Sequence, residues 1–262
     1  MYGSGIKLAV ATLGVGFAVI SASGTAMACW PQRSTASGVG HAGWQRQGLA
    51  GNLIASKANI REYNAFLSNG TGSIVAAWTM LTDTPPLAEW AQVGWLEVDK
   101  TSFQPYGSRC GNPPANGWSR CSFSEYKDLS FQSDQIYAAQ PVDQSTKYEV
   151  HKEIFTGIWA FTCWINGVRV GSNGEGWSYS LDGVQQYGEV HNQADQMPGD
   201  KTTPMWIDFA QYANGGGGWV DLAGAAYNVW QSNPTGYWSA SPTSSHEINV
   251  WDNACTHPGG GT

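Results

Sequence analysis

Residues 158–170 read IWAFTCWINGVRV. Eight mostly apolar residues lead into Asn166-Gly167, and Val168-Arg169-Val170 follows. Both central residues of a two-residue hairpin turn need a positive φ, which Asn and Gly adopt most readily. The stretch therefore predicts a β-hairpin made of two antiparallel strands.

Similar stretches continue in both directions along the chain. Residues 148–155 alternate between apolar and polar side chains, which is typical of a strand with one buried face. No long segment with a helical period competes with them. Many short strands separated by Gly, Asn and Pro turns predict an all-β fold, an antiparallel two-sheet β-sandwich of the concanavalin A-like or jelly-roll type. The other predicted strands are 74–81, 90–98, 177–181, 186–191, 205–209, 219–222, 226–230 and 246–251.

The composition excludes several classes of protein. Charged residues make up 13% of the 262 positions, and 14 Trp, 11 Tyr and 8 Phe are present. Such low charge with so many aromatic residues is opposite to the composition of disordered chains and of coiled coils. The net charge is −7, whereas nucleic-acid binding requires a basic surface. We therefore expect a folded protein, a monomer, with no nucleic-acid partner.

The first 28 residues have the features of a signal peptide. Lys7 precedes an apolar run over 8–20, and Ala26-Met27-Ala28 forms an A-x-A cleavage site. We expect secretion to the extracellular space and no membrane contact after cleavage, although a membrane anchor or a lipoprotein modified at Cys29 are alternatives. We expect a single β-sandwich domain over 29–255, in which 29–60 form either the first strands or a prosegment, and a flexible tail over 256–262.

Export places the cysteines in an oxidising compartment, where thiols pair. Cys110 and Cys121 flank a short loop rich in Gly, Pro and Asn, and we expect them to form a disulfide. Cys29 and Cys255 lie near the two ends of the expected mature chain and form the second predicted pair. Cys163 would then be a buried thiol. Other pairings remain possible, because sequence alone cannot choose among them.

Motifs for several common active sites are missing from the sequence. It contains no G-x-S-x-G elbow, no H-E-x-x-H and no phosphate-binding loop. Asp195 and Asp200 lie in a turn-rich segment that could hold Ca²⁺, but a solvated loop is the simpler interpretation. We therefore expect neither a metal nor a cofactor. The five His residues, which show no metal-ligand spacing, are His41, His151, His191, His246 and His257.

Two polar residues interrupt otherwise apolar strands. Gln92 shares a strand face with Gly94 and Leu96. Glu189 shares a strand face with Tyr187 and His191. Burial among aromatic rings would raise the pKa of Glu189 and make it a candidate proton shuttle. A nearby amide could donate a hydrogen bond to an oxyanion. The alternative is that both side chains simply face water.

The surroundings of this pair resemble those in the eqolisin-type glutamic peptidases, secreted β-sandwich enzymes. In that family a Trp precedes the catalytic Gln by about fourteen residues, and an acidic residue follows the Trp; Trp78 and Asp83 match these positions. The family's Q-x-G reads Gln92-Val93-Gly94 here. Phe123-Ser124-Glu125-Tyr126 is similar to its aromatic, acidic stretch, and Gly188-Glu189 is similar to the segment of its catalytic Glu.

The resemblance continues through Gly199, Pro204 and the aromatic strand 206–209, but Val190-His191 stand where the family has a Trp. It implies an acid-acting endopeptidase for polypeptide substrates, with Glu189 and Gln92 as a catalytic dyad around one water and no metal. The neprosin-like group resembles the same sandwich but uses two Glu, so that Glu97 or Glu125 would accompany Glu189. The implied substrate-binding residues are Trp78, Asp83, Glu125, Tyr187 and His191.

Functions of other classes remain open at this stage. A carbohydrate-binding, lectin-like module would need exposed Trp side chains, and a cell-surface protein without catalysis would need no site at all. A glycoside hydrolase would need two converging carboxylates, but Glu97 and Gln92 should point to opposite faces of their strand, which keeps Glu97 away from Glu189. The Trp residues that lie beside Gly or Ser, and so could be exposed, are Trp118, Trp177, Trp219 and Trp238.

Overall fold

The computed structural model describes residues 37–49, 53–63, 65, 67, 73–83, 89–99, 118–127, 132–139, 144–155, 157–173, 181–192, 195–216, 218–222, 228–231 and 236–253. These ranges contain fifteen strands and no helix, and so no helix that could cross a membrane. The strands are β1 (Ser37–Arg46), β2 (Leu53–Arg61), β3 (Ile74–Thr82), β4 (Trp90–Asp99), β5 (Trp118–Lys127), β6 (Gln132–Ala139), β7 (Ser145–Phe155), β8 (Ile158–Ile165), β9 (Val168–Asn173), β10 (Gly183–Asn192), β11 (Met205–Asn214), β12 (Trp219–Asp221), β13 (Asn228–Gln231), β14 (Trp238–Pro242) and β15 (Ile248–Asp252).

The strands form two antiparallel sheets that pack face to face. One sheet has the order β13-β1-β10-β3-β4-β5-β6, and the other has the order β14-β15-β11-β2-β7-β8-β9, with β12 paired to β11. The predicted all-β sandwich is therefore confirmed. The predicted hairpin is confirmed as β8 and β9, and Asn166 and Gly167 at its turn have φ values of 50° and 78°.

Strands β5, β6 and β14 were not among the predicted strands, and β1 and β2 lie in the segment for which the first strands or a prosegment were the two alternatives. Strands β1 and β2 lie inside the two sheets, β1 between β13 and β10, and β2 between β11 and β7. Residues 37–61 thus form interior strands of both sheets rather than an addition at an edge. Of the predicted strand 177–181, only Leu181 is described, and it lies just before β10.

The main core lies between the two sheets. Its largest fully buried side chains are aromatic, among them Trp44, Trp95, Tyr148 and Phe161. Cys163 also lies in this core as a free, buried thiol, in agreement with the sequence interpretation. Of the four cysteines in the predicted disulfides, only Cys121 is described, buried on β5. Cys29, Cys110 and Cys255 lie outside the described residues, as does the whole predicted signal peptide.

A second apolar cluster covers the opposite side of the seven-stranded sheet, here called the outer face. Because side chains alternate along a strand, odd positions of β4 such as Trp95 enter the core, whereas even positions such as Leu96 lie on the outer face. The candidate residues Gln92 and Glu189 belong to this outer face. Its apolar members are Ile74, Ala76, Trp78, Met80, Leu96, Val98, Cys121, Phe123 and Tyr187.

Candidate active site

Glu189 lies near the middle of β10, between two neighbouring strands. Its backbone pairs with His41 of β1 on one side and with Ala76 of β3 on the other. Directly paired residues of antiparallel strands point to the same face, so His41 and Glu189 lie side by side on the outer face. His191, two residues further along β10, shares this face.

Two hydrogen-bond donors and a further imidazole nitrogen surround the Glu189 carboxylate. Nε2 of His191 lies 2.7 Å from Oε1, and Nε2 of His41 lies 3.6 Å from Oε2. The indole Nε1 of Trp78 donates a hydrogen bond to Oε2. The Glu189 side chain is 12% exposed. A carboxylate has about four acceptor positions, which leaves room for a water molecule.

The ionisation of Glu189 differs from the sequence prediction. Burial by itself would raise its pKa, but hydrogen bonds from His191 and His41, together with the charges of the two imidazoles, hold the pKa well below the ordinary value. The prediction of a raised pKa was therefore wrong, because the two imidazoles outweigh desolvation. The pKa of His191 is raised in turn: burial lowers it, but the hydrogen bond and charge of Glu189 raise it more.

Aromatic rings hold this group in place from the neighbouring strands. The rings of Trp78 and Tyr187 meet edge to face at 5.1 Å between centroids, and the His41 ring lies 5.6 Å from that of Tyr187. Gly43 pairs with Tyr187, and a Cβ there would lie 2.6 Å from the Tyr187 ring. Glycine at this position therefore allows the ring to approach the strand closely.

Gln92 lies on the same outer face, on β4. Its amide Nε2 donates a hydrogen bond of 2.5 Å to Oε2 of Glu125, which is directly opposite on β5. The two residues that the sequence resemblance identified separately, an amide and an acid, thus form one pair. Gln92 is buried and Glu125 is half-buried.

The strand register defines the relation between Gln92 and Glu189. On the intervening strand β3, Gln92 is opposite Met80, whereas Glu189 is opposite Ala76. This offset of four residues and two strands corresponds to about 13 Å along the sheet and about 10 Å across it. Trp78 lies between the two positions. The structure therefore places both side chains on one face but not in direct contact, each with its own acidic or imidazole partner.

The remaining sequence candidates occupy different places. Asp83 follows β3, where its Oδ1 accepts a hydrogen bond of 3.2 Å from the backbone N–H of Glu89 and closes the β3–β4 connection. Asp200 accepts hydrogen bonds from Thr202, Thr203 and the Tyr63 hydroxyl. These donors saturate its carboxylate within the protein. Among the described residues, no group of three His, Cys, Asp or Glu side chains could hold a metal ion.

Two of the alternative site residues are buried in the core. Glu97 is completely buried and lies 3.2 Å from the Arg120 guanidinium, on the opposite face of β4 from Gln92. It therefore cannot accompany Glu189 as a second catalytic carboxylate, whether in a neprosin-like or a glycosidase-like arrangement. Trp238 is only 1% exposed and belongs to the core, so its predicted availability to a sugar was wrong.

Trp219, the other exposed-Trp candidate described in the structure, lies on the eight-stranded sheet. The ammonium of Lys57 lies 3.9 Å from the centre of its ring. One face of the indole is thus occupied by a side chain of the protein itself. The side chains of Trp118 and Trp177 lie outside the described residues.

Sequence reasoning missed two residues of the site. His41 was recorded only as a histidine without metal-ligand spacing, and Gln45 was not considered. Gln45 accepts a hydrogen bond of 2.7 Å from the Tyr187 hydroxyl. Both lie on β1, whose sequence SGVGHAGWQR has three glycines and no clear alternation. Recognition of β1 as a strand would have placed His41 and Gln45 on one face, but not opposite β10.

The comparisons with known proteins support the fold. No family model matches the chain, and no curated protein matches it. Among solved structures, scytalido-glutamic peptidase bound to a peptide-based transition-state analogue is similar, with a TM-score of 0.53 and 13% identity. SCP-B, a member of the eqolisin family in complex with the tripeptide Ala-Ile-His, has a TM-score of 0.50 and 13% identity. Each match covers 84% of this chain and 100% of the other. At this identity the likeness shows a shared fold, and the predicted resemblance is confirmed at that level.

Proposed function

We propose that the protein is a secreted, acid-acting endopeptidase in which Glu189 activates a water molecule for attack on a peptide bond. The observation that carries this proposal is the environment of Glu189. A carboxylate side chain that is 12% exposed is bonded to His191 and Trp78, with His41 beside it, on the outer face of the seven-stranded sheet. Such a clustering of perturbed titratable groups is typical of catalytic sites.

The lowered pKa of Glu189 suits catalysis in acid. A carboxylate that stays ionised at acidic pH can accept a proton from water under conditions in which ordinary Glu side chains are protonated. The two neighbours of similar fold whose structures contain a peptide-based analogue or a tripeptide support a polypeptide as the substrate class.

The proposed reaction is hydrolysis through a tetrahedral intermediate. Glu189 removes a proton from water, and the resulting hydroxide attacks the carbonyl carbon of the peptide bond. The C–N bond then breaks as Glu189 returns the proton to the leaving amine. Atoms balance without a covalent enzyme intermediate, since water supplies the hydroxyl of the new carboxylate and one hydrogen of the new amine.

The resemblance implies Gln92 as the donor to the oxyanion of this intermediate, but the strand register does not favour this role. Its amide is bonded to Glu125, and its position lies about 13 Å along and about 10 Å across the sheet from that of Glu189. This separation is too large for both side chains to contact one peptide group. We therefore expect loss of the Gln92 amide to reduce kcat by much less than the roughly hundredfold that removal of an oxyanion donor costs.

The test is cleavage of denatured casein between pH 2 and 7 by the wild type and by two variants. We expect Glu189→Gln to abolish cleavage and Gln92→Ala to retain most of it, while circular dichroism shows an unchanged fold. Glu247→Gln, a change on the loop before β15, is the matched control and should retain activity. Absence of cleavage by the wild type, or equal cleavage by Glu189→Gln, would contradict the peptidase proposal. A loss of roughly a hundredfold or more in Gln92→Ala would show that Gln92 donates to the oxyanion despite the register.

A further inference from the structure

We propose that His41 and His191 are positioning residues that contact the Glu189 carboxylate from two sides, so that it stays ionised and fixed in orientation at acidic pH. The catalytic consequence of this inference rests on the proposed function, whereas the contacts themselves belong to the structure. The group formed by His41, His191 and Glu189 is here called the imidazole clamp.

The geometry of the clamp is unusual for a surface salt bridge. His191 approaches Oε1 from the same strand at 2.7 Å, and His41 faces Oε2 at 3.6 Å from the neighbouring strand β1. Trp78 bonds Oε2 from the strand on the other side, β3. Three adjacent strands thus supply donors to one carboxylate, so the carboxylate plane cannot rotate without loss of at least one contact.

Packing restrains the His41 imidazole as well. The His41 ring lies 6.0 Å from the Trp78 ring and 5.6 Å from the Tyr187 ring. Tyr187 is itself held by its hydroxyl, which donates to Gln45 of β1. His41 therefore cannot swing away freely, and a pair of exposed flexible side chains would not show this restraint.

The charges around the clamp favour cationic imidazoles in acid. The negative groups that face His191 are Glu189, Glu125 and Asp195, and each raises its pKa. Trp78 and Tyr187, the other neighbours, bring no charge. In acid, the His191 imidazole becomes a cation beside a carboxylate, and an opposite charge at this distance lowers a carboxyl pKa by about 1–3 units.

The clamp predicts a specific change in the pH profile of the proposed reaction. Activity should fall in acid as Glu189 becomes protonated, and this fall is the acid limb of the pH profile. The clamp moves the acid limb to lower pH. A glutamine in place of either histidine can donate a hydrogen bond but carries no charge. We expect His191→Gln and the double variant with His41→Gln to move the acid limb of kcat/KM upward by about one to two pH units.

The matched control is His151→Gln. His151 lies 3.1 Å from the carboxylate of Glu149 on the eight-stranded sheet. Its replacement therefore removes a His–Glu pair of the same kind at a place distant from the site. This variant should leave the acid limb unchanged. An equal shift in His151→Gln would show that general charge loss, rather than the clamp, sets the limb, and would overturn the positioning role.

A second measurement separates the clamp from the peptidase proposal. The chain has only five His, so their imidazole signals can be followed by NMR titration in the wild type and in Glu189→Gln. We expect the His191 midpoint to fall by a unit or more in the variant. A fall of the His191 midpoint in Glu189→Gln, together with no casein cleavage by the wild type, would support the clamp and refute the proposed function. An unchanged His191 midpoint would refute the clamp whatever the activity, and a shifted midpoint with an unmoved acid limb would refute its catalytic role.

Discussion

A buried carboxylate in the core should make the stability of the protein depend on pH. Glu62, just after β2, is fully buried; its Oε1 accepts a hydrogen bond of 2.9 Å from the Tyr148 hydroxyl, and its Oε2 is buried without a hydrogen-bond partner. Burial raises the pKa of Glu62 to about 7, although hydrogen bonds and Arg120 act in the opposite direction. We predict that Glu62→Gln stabilises the protein at neutral pH but not in acid.

The magnitude follows from the difference in pKa. The value in the folded state, about 7, lies above the ordinary 4.5, and each unit corresponds to about 1.4 kcal/mol. The folded state therefore binds the proton more tightly than the unfolded state does. Its contribution is complete below pH 4.5 and is lost as the pH rises through 7, a loss on the order of 3 kcal/mol. A glutamine at position 62 does not ionise, and it therefore removes this loss of stability at higher pH.

The assay is urea unfolding followed by tryptophan fluorescence at pH 4 and pH 8. Glu62→Gln should match the wild type within about 1 kcal/mol at pH 4 and exceed it by up to roughly 3 kcal/mol at pH 8. Glu247→Gln, at a partly exposed loop position, should change neither value. If Glu62→Gln were equally stabilising at both pH values, or destabilising at pH 8, the burial argument would be wrong.

Three further predictions concern the site, the core and the hairpin. Trp78→Phe keeps an aromatic ring but removes the hydrogen bond to Glu189, and we expect casein cleavage to fall about tenfold with the fold intact by circular dichroism. Burial raises the pKa of Cys163 to about 12, so mass spectrometry should find this thiol unmodified by iodoacetamide in the folded protein and modified after unfolding. Gly167→Ala places a side chain at a φ of 78° and should lower the free energy of unfolding by about 1 kcal/mol; no loss in urea titration would argue against the observed turn.

The strands with clear alternation could be predicted from sequence, and the glycine- or serine-rich strands could not. In β1, a Cβ at Gly40 would lie 2.2 Å from the Trp238 ring, so glycine there serves packing rather than a turn. In β5, Ser122 and Ser124 face the interior, where they hydrogen-bond to the hydroxyls of Tyr148 and Tyr137. Polar residues in the core are tolerated because partners on other strands satisfy them, and those partners are not visible in the local sequence.

The faces of Gln92 and Glu189 could be predicted, but their register could not. Alternation along each strand correctly placed Gln92 on the face of Leu96 and Glu189 on the face of Tyr187. Their offset depends on the pairing of β10 with β1 and β3, strands that lie more than a hundred residues earlier in the chain. No turn links these strands, so nothing local fixes their relative position. For the same reason the imidazole of His41, and with it the direction of the Glu189 pKa shift, could not be predicted.

The titratable groups of the core and of the site together predict greatest stability in mild acid. Glu62 and Glu97 both have a pKa raised to about 7, and their contribution is lost as pH rises from 4.5 through 7. The raised pKa of His191 acts in the same direction, since its stabilisation is present below pH 6.5 and lost at higher pH. Glu189 is the opposite case: its lowered pKa stabilises the fold above pH 4.5, and this is lost as pH falls. The free energy of unfolding should therefore be greatest near pH 4–5, where all four groups are favourable, and a maximum at pH 8 would show that the buried carboxylates are not as desolvated as the fold implies.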